Sequence, residues 1–206
     1  MSAFTWPPEQ SASAGVDTVA RRAEPAGEQV PAAVLVPLFL TDTTGITEPH
    51  VVLTRRRADL RRHAGEISFP GGRRDPEDPT LTDTALREAE EEIGLDRAYV
   101  TLIGELPPTS TFVTNYVIHP FVGTIPANLA WRPSEREVDA VLELALSAIR
   151  AGKTTTQLER RGFSFETDAF VIDEHVVWGA TARILEHLLE WLLTAAPDGY
   201  GLPLPG

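Results

Sequence analysis

The apolar and polar positions divide the chain into a beginning without pattern and a patterned remainder. Residues 1–30 are rich in Pro, Ala, Ser, Gly and Glu and keep no sustained period, which predicts a loosely ordered arm with Trp6 packing only locally. AAVLVPLFL (32–40) and HVVLTRR (50–56) predict two paired strands across a Thr/Gly-rich turn. EISF (66–69) predicts a short strand that Pro70-Gly71-Gly72 breaks. LTDTALREAEEEI (81–93) predicts a helix, with Thr80 as N-cap, Asp83 three residues on, and Gly94 as the stop residue. Leu86, Ala89 and Ile93 recur at helical spacing and should face the core. YVTLIGEL (99–106), NYVIHPFVGTI (115–125) and REVDAVLEL (136–144) predict strands, 145–151 a short helix, and FSFET (163–167) with AFVID (169–173) a hairpin. A last amphipathic helix is expected from about Trp178 to Leu193, with Leu185, Leu188, Leu189 and Leu192 on its apolar side. Strands and helices mix without a βαβ rhythm, an internal repeat or a second domain. The expected organisation is one domain over residues 31–206, a mixed sheet flanked by helices.

Composition narrows this further. At 206 residues the chain can bury a core of its own, and 42% hydrophobic with 23% charged content is that of a folded protein rather than a disordered one. The absence of cysteine excludes disulfides, thiolate metal sites and a cysteine nucleophile. The longest apolar run, Ala32 to Leu40, is strand-sized and interrupted by Pro37, and MSAFTWPPEQ lacks the basic and apolar regions of a signal peptide. No membrane partner is therefore expected, and the cytoplasm is the expected location. A net charge of −12 argues against nucleic acid as a partner. The charge is uneven, however: Arg55, Arg56, Arg57, Arg61, Arg62, Arg73 and Arg74 fall within twenty residues and make up seven of the 18 basic side chains. The plain reading is a solvated surface of ion pairs. The sharper one is a phosphate site, because guanidinium forks match phosphate oxygens.

Glu88, Glu91 and Glu92 stand at i, i+3 and i+4 of the expected helix, which places three carboxylates on one face opposite the apolar stripe. Alone, such a run reads as a solvated acidic face, and Arg87 has ion-pair spacing to Glu91. The order of elements changes the weighting. Arginines, a Gly-Gly turn whose amides can approach an anion, and oxygen ligands suited to a hard cation follow one another within about forty residues. That succession points to a site where arginines meet phosphate and carboxylates hold a metal ion.

The segment from Gly72 to Leu95 resembles the Nudix box, G-x5-E-x7-R-E-U-x-E-E-x-G-U, where U is a bulky aliphatic residue. Arg87-Glu88-Ala89-Glu90-Glu91-Glu92-Ile93-Gly94-Leu95 covers its second half, with Ala89 a small substitute at the first U. The first half departs: Asp78 stands six after Gly72 where the box has Glu, and eight residues rather than seven separate it from Arg87. Upstream, LTRRRADLRRHAGEISFPGG is similar to the signature of the coenzyme A pyrophosphatase branch, L-L-T-x-R-[SA]-x3-R-x3-G-x3-F-P-G-G. Leu53, Thr54, Arg56, Arg61, Gly65, Phe69, Pro70, Gly71 and Gly72 match in register, Val52 replaces a leucine, and Arg57 replaces the small residue. A box one residue longer than the general form also belongs to that branch.

The resemblance implies an α/β/α sandwich on a mixed sheet, and hydrolysis of coenzyme A or its thioesters to 3′,5′-ADP and 4′-phosphopantetheine with Mg2+ or Mn2+. Carried over by position, it implies Glu88 and Glu92 as principal metal ligands, with Glu91 as a further ligand or as the base that activates water. Arg87 would orient a glutamate. Arg56 and Arg61 would clamp phosphates beside Gly71 and Gly72. Glu137 is expected at the surface, with an approach to the metal as the alternative. His63, Phe112, Tyr116 and Trp178 have the same two readings, loop or core on one side and substrate contact on the other. Competing functions are another Nudix specificity (ADP-ribose, NADH or a further nucleoside diphosphate derivative) and a non-catalytic nucleotide-binding module. The oligomeric state is open, a homodimer included.

Overall fold

The run from Ala32 to Leu40 lacks polar alternation because the strand it forms is covered on both faces. This is seen in a computed structural model of the chain, which describes residues 29–43, 46–59, 65–111, 115–160 and 163–195. In chain order the strands of the main sheet are β1 (Val30–Thr43), β2 (Ile46–Arg56), β3 (Ile67–Ser68), β4 (Gly71–Arg73), β5 (Thr101–Glu105), β6 (Thr109–Ser110), β7 (Tyr116–Thr124) and β8 (Val138–Ala145). Their order is β3-β2-β1-β7-β5, with β4 on β1, β6 on β7 and β8 on β2. The sheet is mixed: β1 runs parallel to β7, with Ala33 opposite His119, and antiparallel to β2, with Leu38 opposite Val51.

Alternate residues of β1 face different helices. Ala33, Leu35 and Phe39 pack with Ala85, Ala89 and Ile93 of α1 (Leu81–Ile93). Val34, Val36 and Leu38 pack with Leu146 and Ile149 of α2 (Leu146–Ala151) and with Leu185, Leu188 and Leu192 of α3 (Gly179–Ala195). The α/β/α layering expected from the resemblance is thus the observed one, and each fully buried Leu or Ile contributes roughly 2 kcal/mol of transfer free energy. Pro37 is tolerated in this central strand for a local reason. Leu35 donates its N–H to Pro70 O (2.9 Å), so by the two-residue period position 37 points to the same edge. There β4 has stopped at Val34 and β2 begins only at Leu38, so no partner strand lacks a donor. No helix of the described residues is long and apolar enough to cross a membrane.

Several expectations are corrected. The Gly71-Gly72 turn does not simply break the chain; it forms β4, antiparallel to Ala32–Val34. The expected hairpin of 163–167 and 169–173 is one continuous strand, β10 (Phe163–Ile172), lying between β9 (Lys153–Arg160) and β11 (His175–Trp178) in a second, antiparallel sheet. Asp168, which looked like a turn residue, instead accepts a hydrogen bond from the Thr155 hydroxyl across the pair (3.0 Å). Strand β9, KTTTQLER, lacks the apolar alternation that would have announced it. Trp178 ends β11 rather than opening the last helix. The N-terminal arm lies outside the described residues apart from its last two.

Helix α1 has the ends its sequence predicts. Thr80 Oγ1 accepts from the Asp83 N–H (3.1 Å), and Gly94, at φ 69°, donates to Glu90 O (2.9 Å). The following loop holds the last turn through Arg132 N–H to Ile93 O (3.0 Å) and Ser134 N–H to Glu92 O (2.8 Å). We expect Thr80→Ala to lower stability by about 1 kcal/mol. For Gly94→Ala we expect about 1–2 kcal/mol, because a Cβ there would need a left-handed Ala and would sit 2.8 Å from Arg132 Cβ. The two losses should add, since the caps lie about 20 Å apart. Urea midpoints at unchanged m-value provide the measurement; a Gly94→Ala protein as stable as the parent would refute the capping account.

Candidate active site

The small residues Ala85 and Ala89 let α1 lie close to β1, and the same approach brings the helix face bearing Glu88 and Glu92 onto β4. Glycine is required there by space. A Cβ on Gly72 would come within 2.5 Å of Glu88 Oε1, and a Cβ on Gly71 would collide with the Ala33 carbonyl oxygen. The Gly71 N–H donates to Glu92 Oε2 (3.3 Å). Glu92 is only 5% exposed, and burial pushes its carboxyl up to about 8, against the pull of the Gly71 amide and Arg56. Burial also raises the Glu88 carboxyl, with Arg87 opposing.

Arg87 is the hub of the acidic surface. Its Nε and Nη2 donate to Asp78 Oδ1 (2.9 Å) and Oδ2 (3.0 Å), Nη2 lies 3.1 Å from Glu88 Oε1, and Nη1 donates to Glu91 Oε2 (3.2 Å). Buried Asp78 also accepts from the Thr84 hydroxyl (2.9 Å) and the Asp75 N–H (3.0 Å). The Arg87 guanidinium holds the Asp78 carboxyl far below the usual carboxylate range. The residue displaced by one position from the box's glutamate is therefore the anchor of Arg87. A buried-acid role for Asp78 had no signal in the sequence beyond that displacement.

The arginine cluster resolves into separate jobs. Between Arg55 and Arg56 the pairing of β2 with β8 slips its register, and the irregularity sends consecutive arginines to different partners. Arg55 pairs outward with Asp139 (2.8 Å). Arg56 lies between Glu92 (Nη1 to Oε1, 3.5 Å) and Glu137 (Nη2 to Oε2, 3.3 Å), and among the described residues its buried Nε has no hydrogen-bond partner. Glu137, with half its side chain exposed, stands at the surface as expected, yet reaches the acidic pair through Arg56. Arg57 is held by Asp59 (2.9 Å) and the Glu135 carbonyl (2.8 Å), and Arg74 by the carbonyls of Asp78 and Pro79. Arg61, Arg62, His63 and Phe112 lie outside the described residues.

A cleft of about 440 Å³ opens beside the Gly71-Gly72 strand; Arg56, Arg73, Tyr116, Trp178 and Arg183 also line it. Arg183, which attracted no attention in the sequence, is fixed by donation to Ser110 O (2.6 Å). The three sequence-expected metal ligands are not equivalent. Glu88 and Glu92 lie against Gly71-Gly72, whereas Glu91 has a side chain 60% exposed and turned to Arg87. Among the described residues no three Asp, Glu, His or Cys side chains are grouped to hold a metal. One buried and one half-buried carboxylate, Glu92 and Glu88, each raised by burial despite a neighbouring arginine, nonetheless fit a hard divalent cation. Mg2+ commonly takes one or two carboxylates and completes its shell with water and substrate phosphate.

Residues 30–162 match the NUDIX domain model. The uncharacterized Nudix hydrolase NudL of Salmonella paratyphi B is 42% identical over 159 residues, covering 76% of this chain and 80% of its own. Among solved structures, the Nudix hydrolase RenU of M. smegmatis superposes with a TM-score of 0.59 at 17% identity, covering 86% of this chain and 90% of that one. The NUDIX domain of Shewanella oneidensis NrtR, solved with ADP ribose, gives 0.51 at 15% identity over 81% and 90%. The two structures show the shared fold; the domain match and the sequence relative go further, and the chain belongs to the Nudix hydrolase family.

Proposed function

We propose that this Nudix hydrolase cleaves the pyrophosphate of coenzyme A or a derivative, giving 3′,5′-ADP and 4′-phosphopantetheine or its acyl form. The observation that carries the reading is the seam where Glu88 and Glu92 back onto Gly71-Gly72 at the edge of a cleft that Arg56 also lines. The coenzyme A assignment is supported by the motif from Leu53 to Gly72, whose Arg56, Phe69, Gly71 and Gly72 all line that cleft. Nudix hydrolases generally use divalent ions such as Mg2+ or Mn2+, and here Glu88 and Glu92 would hold one, with Glu91 reaching it through water or serving as the base. The cation, when bound, neutralises the diphosphate and makes water more acidic. Arg87 keeps Glu88 and Glu91 oriented from its Asp78 anchor. The Gly71 and Gly72 backbone gives close approach to an anion, and Arg56, which lines the cleft, would meet a phosphate oxygen, with Arg61 as its companion.

With Mg2+ or Mn2+, coenzyme A should yield 3′,5′-ADP, and Glu92→Gln should lower the rate at least about 100-fold. Product analysis against dephospho-coenzyme A, ADP-ribose and NADH decides the substrate: turnover of ADP-ribose or NADH in place of coenzyme A would sink the assignment while keeping the chemistry. If Arg56 and Arg61 read the 3′-phosphate, the combined Arg56→Ala, Arg61→Ala protein should lose about tenfold of the preference for coenzyme A over its dephospho form. An unchanged ratio of kcat/KM values would assign that phosphate to other residues.

A stability measurement probes the same seam without turnover. Because burial raises Glu92 to about 8, the metal-free native state keeps a proton that the unfolded chain releases near its ordinary value of about 4.3. Its contribution is therefore intact below that ordinary value and is lost as pH rises towards 8. Metal-free Glu92→Gln should remove this loss and exceed the parent's stability at pH 8 by about 1–3 kcal/mol, with little difference near pH 5. Parallel denaturation curves for parent and variant between these pH values would show that Glu92 is not held in the buried state described.

A further inference from the structure

The second sheet has an outward face of the wrong character for a surface. Its inner face gives Phe170, Ile172 and Val177 to the core. The opposite face of such a sheet is ordinarily polar. Here it carries Leu158 directly opposite Phe165, Val176 opposite Val171, and Trp178 opposite Ala169. Phe165 is 36% exposed and its ring lies 5.9 Å from that of Trp178, tilted by 59°. Four of these side chains, Leu158, Phe165, Val176 and Trp178, line a second cleft of about 370 Å³, closed on the other side by Ile67 of β3. Charged groups (Arg55, Glu66, Glu159 and Glu174) and His175 also line it.

This cleft adjoins the first, and Glu66, Ile67 and Trp178 form a wall common to both. Trp178 thus stands between a site that includes arginines and the Gly-Gly strand and a mixed site in which Leu158, Phe165 and Val176 stand beside charged groups. Except for Leu158, the apolar residues that the second sheet contributes come after residue 162, where the NUDIX domain match ends.

We propose that the second cleft is a specificity subsite for an aliphatic group, carried at the end of the substrate's non-nucleotide arm, and that Leu158 and Phe165 select for it. Resting on the coenzyme A reading above, this makes short acyl thioesters better substrates than the free thiol. The wall shared by the two clefts favours a part of the same substrate as occupant over a separate partner.

The experiment compares kcat/KM for coenzyme A and hexanoyl-coenzyme A with Mg2+. The wild type should favour the hexanoyl form about tenfold. Leu158→Ser with Phe165→Ser should bring the ratio to about one, Phe165→Ala alone should lower it about threefold, and Val171→Ser, on the same sheet face outside the cleft, should leave it. A wild-type ratio of one, or a preference that survives the double variant, overturns the proposal while the coenzyme A reading stands. If neither compound is cleaved, that reading fails separately, and calorimetric titration with hexanoyl-pantetheine, against pantetheine, decides the subsite. Binding that depends on the hexanoyl group and on Phe165 supports it; equal or absent binding of the two overturns it.

Discussion

Burying a carboxylate costs several kcal/mol unless cations and donors replace its water, and α1 does this twice within one turn. Glu92 is almost fully enclosed, and Glu88 lies one turn before it against the same glycine strand. The protein meets that cost with an arginine for each, Arg56 for Glu92 and Arg87 for Glu88, and with one backbone amide from Gly71. These partners do not suffice, because both carboxyls stay raised above their ordinary values. The shortfall is what makes the pair receptive to a divalent ion. A site already neutralised by its own arginines would gain little from one.

Much of the surrounding sequence follows from keeping that pair in place. Ala85 and Ala89 must be small for α1 to approach β1, and Gly71 and Gly72 must lack side chains for β4 to fit against Ala33–Val34 of β1 and the Glu88 carboxylate. The register slip at Arg55 and Arg56 separates two adjacent cations, one to a surface aspartate and one to the seam. Arg87 could collapse onto any of four acids, Asp75, Asp78, Glu88 or Glu91, and the buried, doubly supported Asp78 fixes which way it points. Hydrogen bonds from the Asp75 amide and the Thr84 hydroxyl leave Asp78 no freedom to follow the guanidinium elsewhere.

The parts legible in the sequence are those where one local cause dominates. The caps of α1 and the strand at Ala32–Leu40 come from short-range chemistry and a long apolar run. The motif residues Arg56, Gly71, Gly72, Glu88 and Glu92 could be named in advance, and the fold gathers all five at one seam. What the sequence concealed depends on partners far along the chain. Gly71-Gly72 becomes a strand only because Ala32–Val34 offers an open edge, and KTTTQLER pairs only because β10 runs beside it. Arg183 enters the cleft through a carbonyl seventy-three residues away, a contact that no periodicity announces.

The second sheet shows how one fold can keep its chemistry and change what it acts on. The acidic seam is built from β1, β2, β4 and α1, all inside the matched domain, and tolerates little variation in size or charge. The sheet of β9, β10 and β11 touches that seam only indirectly, through the first cleft, and its inner face is committed to the core. Its outer face is free of both duties. Apolar side chains there, on strands anchored by a buried face, can be exchanged without disturbing the carboxylates, so on the proposed reading substrate choice and reaction chemistry are physically separable. Trp178 is the residue where the separation is thinnest: it borders both clefts, and it is the last residue before α3, whose packing supports β1 from below.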